Sequence, residues 1–270
     1  MPDLIRIEHE NKVVSYRSPL LHGAGVPHGF TTRIGGLSPE PYNSLNLVSL
    51  VNDPDADANT NVAENFRRVR KALGCRRHIR VQVNQVHGSN VWLPPADPIR
   101  PVDAPRADAI TTDKQRLLLM VRVADCVPVL LASSDGRVVS AVHAGWRGVV
   151  AGVVPRAVES VTRLCGTGTE PVLAAIGPCI GVEHFEVGPE VVEAFGSAGL
   201  GLAVARAGYA KPHIDLAAAV AHQLVQAGIP MQQIDRTDRC TYALEDEFFS
   251  HRRDLGRTGR QAALIAARPD

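Results

Sequence analysis

An Asp135-Gly136 pair sits between two apolar runs, residues 127–132 (VPVLLA) and 138–143 (VVSAVH). Asp-Gly flanked by strand-length apolar runs is a strong short-range hairpin signal, so this feature constrains the fold more than any other. A two-residue type I′ turn, with positive φ at both central residues, places His143 opposite Pro128 and Cys126 opposite Gly145. Cys126 and His143 then share one face as diagonal neighbours, with Cα atoms about 7–8 Å apart. A slip of one residue would send the two side chains to opposite faces.

Further strand-sized runs rich in Val, Ile and Leu lie at 81–86, 117–123 and 172–176. Helical spacing marks 149–164, 190–195 and 216–227, with a weaker stretch at 61–73 that Asn59 or Thr60 would cap. In the first of these, apolar residues fall at 149, 150, 153, 154, 157, 158, 161 and 164. Pro155 interrupts that stripe and predicts a kink or a late start. The Pro- and Asp-rich segment 94–105 reads as an irregular connection. Strands and helices interleave, yet several strands are joined by tight turns. This favours an α+β fold, a single domain over 1–270 with mixed β-sheets and flanking helices, over a doubly wound parallel sheet. No GxGxxG follows a strand and no GxxxxGK loop is present, so the common nucleotide-phosphate loops are excluded.

A formal net charge of +1 argues against a nucleic-acid partner, although Arg76-Arg77 and Arg252-Arg253 form local basic pairs. The N-terminus shows no apolar export segment, and the longest apolar runs are strand-sized, so no membrane span is expected. Five cysteines without an export signal point to reduced thiols and a cytoplasmic location. Cys75 and Cys165 read as small buried hydrophobes.

A third polar residue joins the hairpin pair in VQVNQVHGSNVW. His87 ends a strand-like run just before Gly88, and the alternation breaks at Gln85-Val86, which predicts a bulge that re-aims the next side chain. Two imidazoles and a thiolate suit zinc, with a fourth position left for a water whose pKa falls to about 7. Copper is acceptable to the same donors.

Ten stretches occur together: HGFTTRIGGLS (28–38), YNSLNLVS (42–49), NQVHGSNV (84–91), RADAITTD (106–113), VADCVPVLL (123–131), VHAGWRG (142–148), AAIGPCIG (174–181), FEVG (185–188), KPHIDL (211–216) and FFSHRRDLGRTGRQAALI (248–265). In this order they resemble the YfiH family, also called laccase-domain, polyphenol oxidase and purine nucleoside phosphorylase. The resemblance implies a cysteine-hydrolase-like topology and a metal site formed by His87, Cys126 and His143. It also implies phosphorolysis of adenosine, inosine, guanosine and methylthioadenosine, and deamination of adenosine. The implied partners are purine nucleosides and phosphate; a monomer or small homo-oligomer is expected. Two departures stand out: His184 precedes FEVG where many relatives carry Cys, and His251 replaces a frequent Tyr.

Phosphorolysis needs a site for an anion beside the glycosidic bond. Arg33, in a glycine-flanked loop, and Arg147, in GWRG, are the candidates, and Arg147 reads equally as a structural ion pair. Gly145–Gly148 opens a helix whose N-terminal amides favour an anion. Asn46 is a candidate for a substrate hydroxyl or, equally, a turn former. Arg252 is a further candidate for binding substrate, and Arg252 and Arg253 are expected to divide, one inward toward an anion or backbone and one outward. Asp125 is assigned to support of the ligands from behind, and Cys179 and Cys240 to burial. Two other chemistries compete with the zinc reading. One is a thiol amidohydrolase, with Cys126 as nucleophile and His143 as base, editing peptidoglycan precursors. The other is a copper oxidase, which a chain with ten His and no His-x-His pair disfavours.

Overall fold

The run LLLMVRV is buried at every position but Arg122, which requires a strand covered on both faces. The computed structural model, which describes residues 3–48, 57–95, 104–166, 171–205 and 210–269, supplies both covers. Its first strands are β1 (Ile5–Glu8), β2 (Val14–Arg17), β3 (His28–Thr31), β4 (Ile79–Gln82), β5 (Val91–Trp92), β6 (Ala109–Thr112) and β7 (Leu117–Val123). They continue with β8 (Val127–Ser133), β9 (Val139–Ala144), β10 (Val172–Ile176), β11 (Val204–Ala205), β12 (His213–Ile214), β13 (Ile234–Arg236) and β14 (Gln261–Ala266). The helices are α1 (Pro19–Gly23), α2 (Asn59–Ala72), α3 (Trp146–Val150), α4 (Val153–Leu164), α5 (Pro189–Ser197) and α6 (Leu216–Gln226).

Two six-stranded sheets form, in the orders β1-β2-β3-β14-β7-β4 and β13-β10-β8-β9-β6-β5. Both are mixed, with parallel pairs β4–β7, β5–β6 and β10–β13 among antiparallel neighbours. Alternation along the strands builds three core layers. Leu117, Leu119 and Val121 of β7 meet Leu130 and Ala132 of β8 between the sheets. Leu118 and Met120 face the other way, packing with Val62, Phe66 and Val69 of α2. Val127, Val129 and Leu131 of β8 bury against α3, α4, α5 and α6. The result is an α+β fold of helix, sheet, sheet and helices in four layers, as the mixed-sheet reading requires.

The hairpin register is the one that the Asp-Gly pair dictates: Pro128 faces His143 and Val127 faces Ala144. The turn itself is different. Residues 134–137 form a four-residue loop, closed by Ser133 N–H to the Val138 carbonyl at 2.9 Å and Gly136 N–H to the Ser133 carbonyl at 2.8 Å. Gly136 has φ 74°, whereas Asp135 is not among the positive-φ residues, so the expected type I′ turn is corrected. Asp135 instead accepts from the Ser133 hydroxyl at 2.6 Å and the Arg137 N–H at 3.0 Å, a local bonding pattern that competes with the tighter turn. The longer loop remains centred on the same pair, so the register survives.

The helical stripe 149–164 is divided, as Pro155 foretold. Gly152, at φ 79°, separates α3 from α4, and Pro155 lies in the first turn of α4, where a missing N–H removes no helical bond. The other helix expectations shift at their ends. The 190–195 stretch lies within α5, and α6 ends at Gln226 behind an Asp215 cap that accepts from Ala218 N–H at 2.8 Å. In α2, Asn59 and Thr60 are inside the helix, because the Ala58 carbonyl accepts the first helical bond, from Val62 N–H; Ala58 is therefore the cap and has no side-chain oxygen to bond with. Of the connection at 94–105, residues 96–103 lie outside the described residues.

His28 in β3 is 4% exposed, and both ring nitrogens are bonded internally. Nε2 accepts from Ser18 N–H at 2.9 Å, which leaves Nδ1 to donate to the Val26 carbonyl at 2.8 Å. Burial pushes its pKa down to about 4. The imidazole is therefore neutral in the fold, and the stability this contributes is fully present above pH 6.5. It is lost as the pH falls toward 4, by roughly 3 kcal/mol. Urea unfolding between pH 7 and pH 4 is expected to show that loss, and to show less of it in His28→Gln.

Candidate active site

Three separate elements converge on one point. Cys126 immediately precedes β8, His143 lies on β9, and His87 follows β4 in the loop that carries Gly88. One ring nitrogen from each of the two histidines and the Cys126 sulfur lie within 4.8 Å of one another. The imidazoles meet edge to face, with centroids 4.8 Å apart. Gly145, opposite Cys126, leaves room for this meeting: a Cβ there would stand 2.5 Å from His87 Nδ1 and 3.1 Å from Cys126 Sγ.

Each ligand is aimed by a local departure from regular strand. β4 stops at Gln82, short of the expected 86, and no bulge carries it on. Gln85 instead uses its side-chain amide as a surrogate peptide, donating to the Arg122 carbonyl at 2.8 Å and accepting from Arg122 N–H at 2.9 Å. The backbone is thereby released to turn at His87, which has φ 57°. Before Cys126 the chain bends at Asp125, φ 86°. The Asp125 carboxylate accepts from the Thr241 hydroxyl and from Arg252 N–H, each at 2.7 Å. It braces the Cys126 loop from behind.

The residue that sequence reasoning missed is Asp108, fully buried just ahead of β6. Its carboxylate collects His87 N–H at 2.9 Å, Gly88 N–H at 2.7 Å and Val86 N–H at 3.2 Å. It also accepts from His143 Nδ1 at 2.9 Å. One carboxylate thus holds both histidines, and it leaves His143 Nε2 as the ring nitrogen free for the centre. Burial opposes charge on His143, but Cys126 and Asp108 outweigh it and raise the pKa to about 9. On Asp108, burial is likewise outweighed, here by the His143 bond and the backbone N–H groups, so its pKa is lowered. His87 is lowered by burial and by the neighbouring His143. A buried Asp at the start of the apolar strand in RADAITTD was the available signal.

Two imidazoles, one cysteine sulfur and a carboxylate behind one imidazole form a donor set that would suit zinc. The three residues open into a cleft of about 620 Å³, also lined by Arg122, Trp146, Arg147, His251 and Arg260 and by no carboxylate among the described residues. Arg147 is exposed, stacks over Trp146 at 4.3 Å, and has no ion-pair partner among the described residues.

The other expected contacts lie elsewhere. Arg33 spends its guanidinium on the Asn43 carbonyl, the Asn43 side chain and the Glu245 carbonyl, and stacks on Phe249. Asn46 is fully buried, bonded to Val48, Asp57 and Arg260 N–H. Both are stitches between loops and do not line the cleft. Arg252 turns to the Glu186 carbonyl and the Phe185 ring, bordering a separate surface hollow with His184 and Tyr242. Arg253 is the inward member of the pair, donating to the carbonyls of Thr241, Tyr242 and Phe248. Cys179 is buried beside Cys240, whose sulfur accepts from Gly181 N–H at 3.1 Å.

Two mixed sheets between helices, with a His-Cys-His donor set where a hairpin meets a loop, define the class: an α+β domain built around a candidate metal centre. A family model described as multi-copper polyphenol oxidoreductase laccase matches residues 27–268. The chain belongs to this laccase-like family, the YfiH family. It is 40% identical to the purine nucleoside phosphorylase of Deinococcus radiodurans over 92% of both chains. It is also 40% identical to the purine nucleoside phosphorylase YfiH of Escherichia coli, covering 89% of this chain and 93% of that one. The crystal structure of YlmD from Geobacillus stearothermophilus superposes with a TM-score of 0.86 at 31% identity, covering 99% of this chain and all of the other. Among the described residues no helix is long and apolar enough to cross a membrane.

Proposed function

We propose that this protein is a zinc-dependent purine nucleoside enzyme. It cleaves adenosine, inosine, guanosine and methylthioadenosine with phosphate, and it also deaminates adenosine. The observation that carries the reading is the convergence of His87, Cys126 and His143 in a cationic cleft of nucleoside size. The names of the relatives from D. radiodurans and E. coli support it. When bound, zinc supplies Lewis acidity and an acidified water for attack on the purine. The chain's own residues do the rest. Asp108 orients His143 and fixes the His87 loop, Trp146 offers an apolar ring to the base, and Arg147 attracts the phosphate anion. In phosphorolysis a phosphate oxygen joins ribose C1′ as the glycosidic bond breaks, and the purine leaves with the bonding pair and takes up a proton. The whole chain, 1–270, acts as one domain, and its free cysteines fit the reducing cytoplasm.

One arrangement favours a second reading. Cys126 stands beside His143, and His143 donates to Asp108, the order of nucleophile, base and orienting carboxylate found in thiol hydrolases. That supports a cysteine-hydrolase-like amidohydrolase acting on peptidoglycan precursors. A copper polyphenol oxidase is less supported, since one three-donor group among the described residues is far short of a multicopper cluster. Mass spectrometry of the products formed from adenosine and phosphate tests the proposal. Adenine with ribose 1-phosphate, together with inosine, is the expected result. Unchanged adenosine from folded, zinc-loaded protein would overturn it and put the amidohydrolase first.

A further inference from the structure

The outer face of the first sheet is apolar until it reaches the cleft, where it turns cationic. Leu118 and Met120 of β7, with Ala262, Leu264 and Ala266 of β14, form one layer against α2. Two residues beyond Met120 on the same face stands Arg122, and two before Ala262 stands Arg260. Arg122 pairs with Ala262 across the strands, so the two arginines are diagonal neighbours. Both line the cleft that holds His87, Cys126 and His143.

Their bonding is incomplete. Arg260 donates through Nη1 to the carbonyls of Thr258 and Gly259, each at 2.9 Å, and its Nη2 lies 3.5 Å from His251 Nδ1. The partly buried Arg122 guanidinium has neither a hydrogen bond nor an ion pair among the described residues, while Gln85 occupies its backbone groups. Burial pushes the Arg122 pKa down, and Arg80 and Arg260 push it further. A guanidinium held among cations without an acceptor lacks the anion that would pair it.

We propose that Arg122 and Arg260 form the seat of a phosphate oxyanion, the co-substrate of the nucleoside reaction. The proposal rests on the phosphorylase reading for its substrate but on the Arg122–Arg260 geometry for its place. Arg147, exposed on Trp146, draws the anion in from the rim, and the inner pair holds it beside the His-Cys-His centre. Planar guanidinium groups suit such a ligand because each offers two parallel N–H donors.

Calorimetric titration of the purified full-length protein with inorganic phosphate tests this, alongside the phosphate KM of the wild type, Arg122→Gln and Arg260→Gln. Each variant is expected to weaken phosphate binding and raise the phosphate KM by roughly tenfold or more. The nucleoside KM is expected to stay within about twofold of the wild type. Arg122→Gln should melt no lower than the wild type in phosphate-free buffer, because it removes no protein bond. A fall of more than about 5 °C would make Arg122 structural and overturn the assignment. So would unchanged phosphate binding in both variants, even with phosphorolysis intact, and in that case the phosphorylase reading would stand. Phosphate binding lost in the variants, from a wild type that cleaves no nucleoside, would leave the seat and remove the phosphorylase reading. Adenosine 5′-monophosphate, titrated in parallel, separates the sources: binding of the nucleotide but not of free phosphate would overturn a co-substrate seat.

Discussion

Cys126→Ala is expected to lower turnover by about a thousandfold or more while shifting stability by less than about 1 kcal/mol. The thiol is partly exposed, and it lies against His87, His143 and Gly145 rather than holding backbone segments together. Its removal therefore deletes a donor without opening the core. Activity and the urea midpoint, measured on the same preparation, separate these effects. The metal and thiol readings both require Cys126, and a second treatment divides them. Chelation followed by zinc restores a metal enzyme, whereas a thiol enzyme is indifferent to chelation and is silenced by alkylation. We expect chelation to silence this protein and zinc to revive it.

Asp108→Ala is expected to have the largest effect on stability. The carboxylate is fully buried and accepts from three successive backbone N–H groups as well as His143 Nδ1. Truncation leaves those donors without a partner, at a cost of about 3–5 kcal/mol by analogy with broken buried pairs. Asp108→Asn keeps the shape but loses the charge and one acceptor. It should lower both metal affinity and turnover by about 10–100-fold, the effect usual for a carboxylate behind a ligating histidine. Urea unfolding of the alanine variant and zinc titration of the asparagine variant check the two parts. A fully active Asp108→Asn would show that His143 is oriented without the carboxylate.

Which parts of this were legible in advance follows from the range of each signal. Strand β7 was recognised in full because LLLMVRV is buried on both faces, and the 126–145 register because one Asp-Gly pair centres its loop. Those are local patterns, and they brought Cys126 and His143 together. His87 was reached by suspecting a break after 86, although the device that makes the break is the Gln85 side chain. Partners far apart in sequence were invisible. Asp108 meets residues 86–88 and 143 only through the sheet pairing. Arg122 and Arg260 become neighbours only when β7 and β14 align. Arg33 and Asn46 sit in polar loops, and each is fixed by a partner distant in the chain: Arg33 donates to the Glu245 carbonyl, and Asn46 Oδ1 accepts from Arg260 N–H. A polar residue in a motif-rich loop marks a fixed conformation as readily as a bound substrate.

The central claim is that His87, Cys126 and His143 hold a metal on which the nucleoside chemistry depends. The most direct measurement is the metal content of the purified wild type and Cys126→Ala, determined by mass spectrometry of the metals after exhaustive dialysis. One zinc ion per wild-type chain, lost in the variant along with adenosine cleavage, is the expected result. Wild-type protein that cleaves adenosine while holding no metal, or a variant that keeps its zinc, would contradict it.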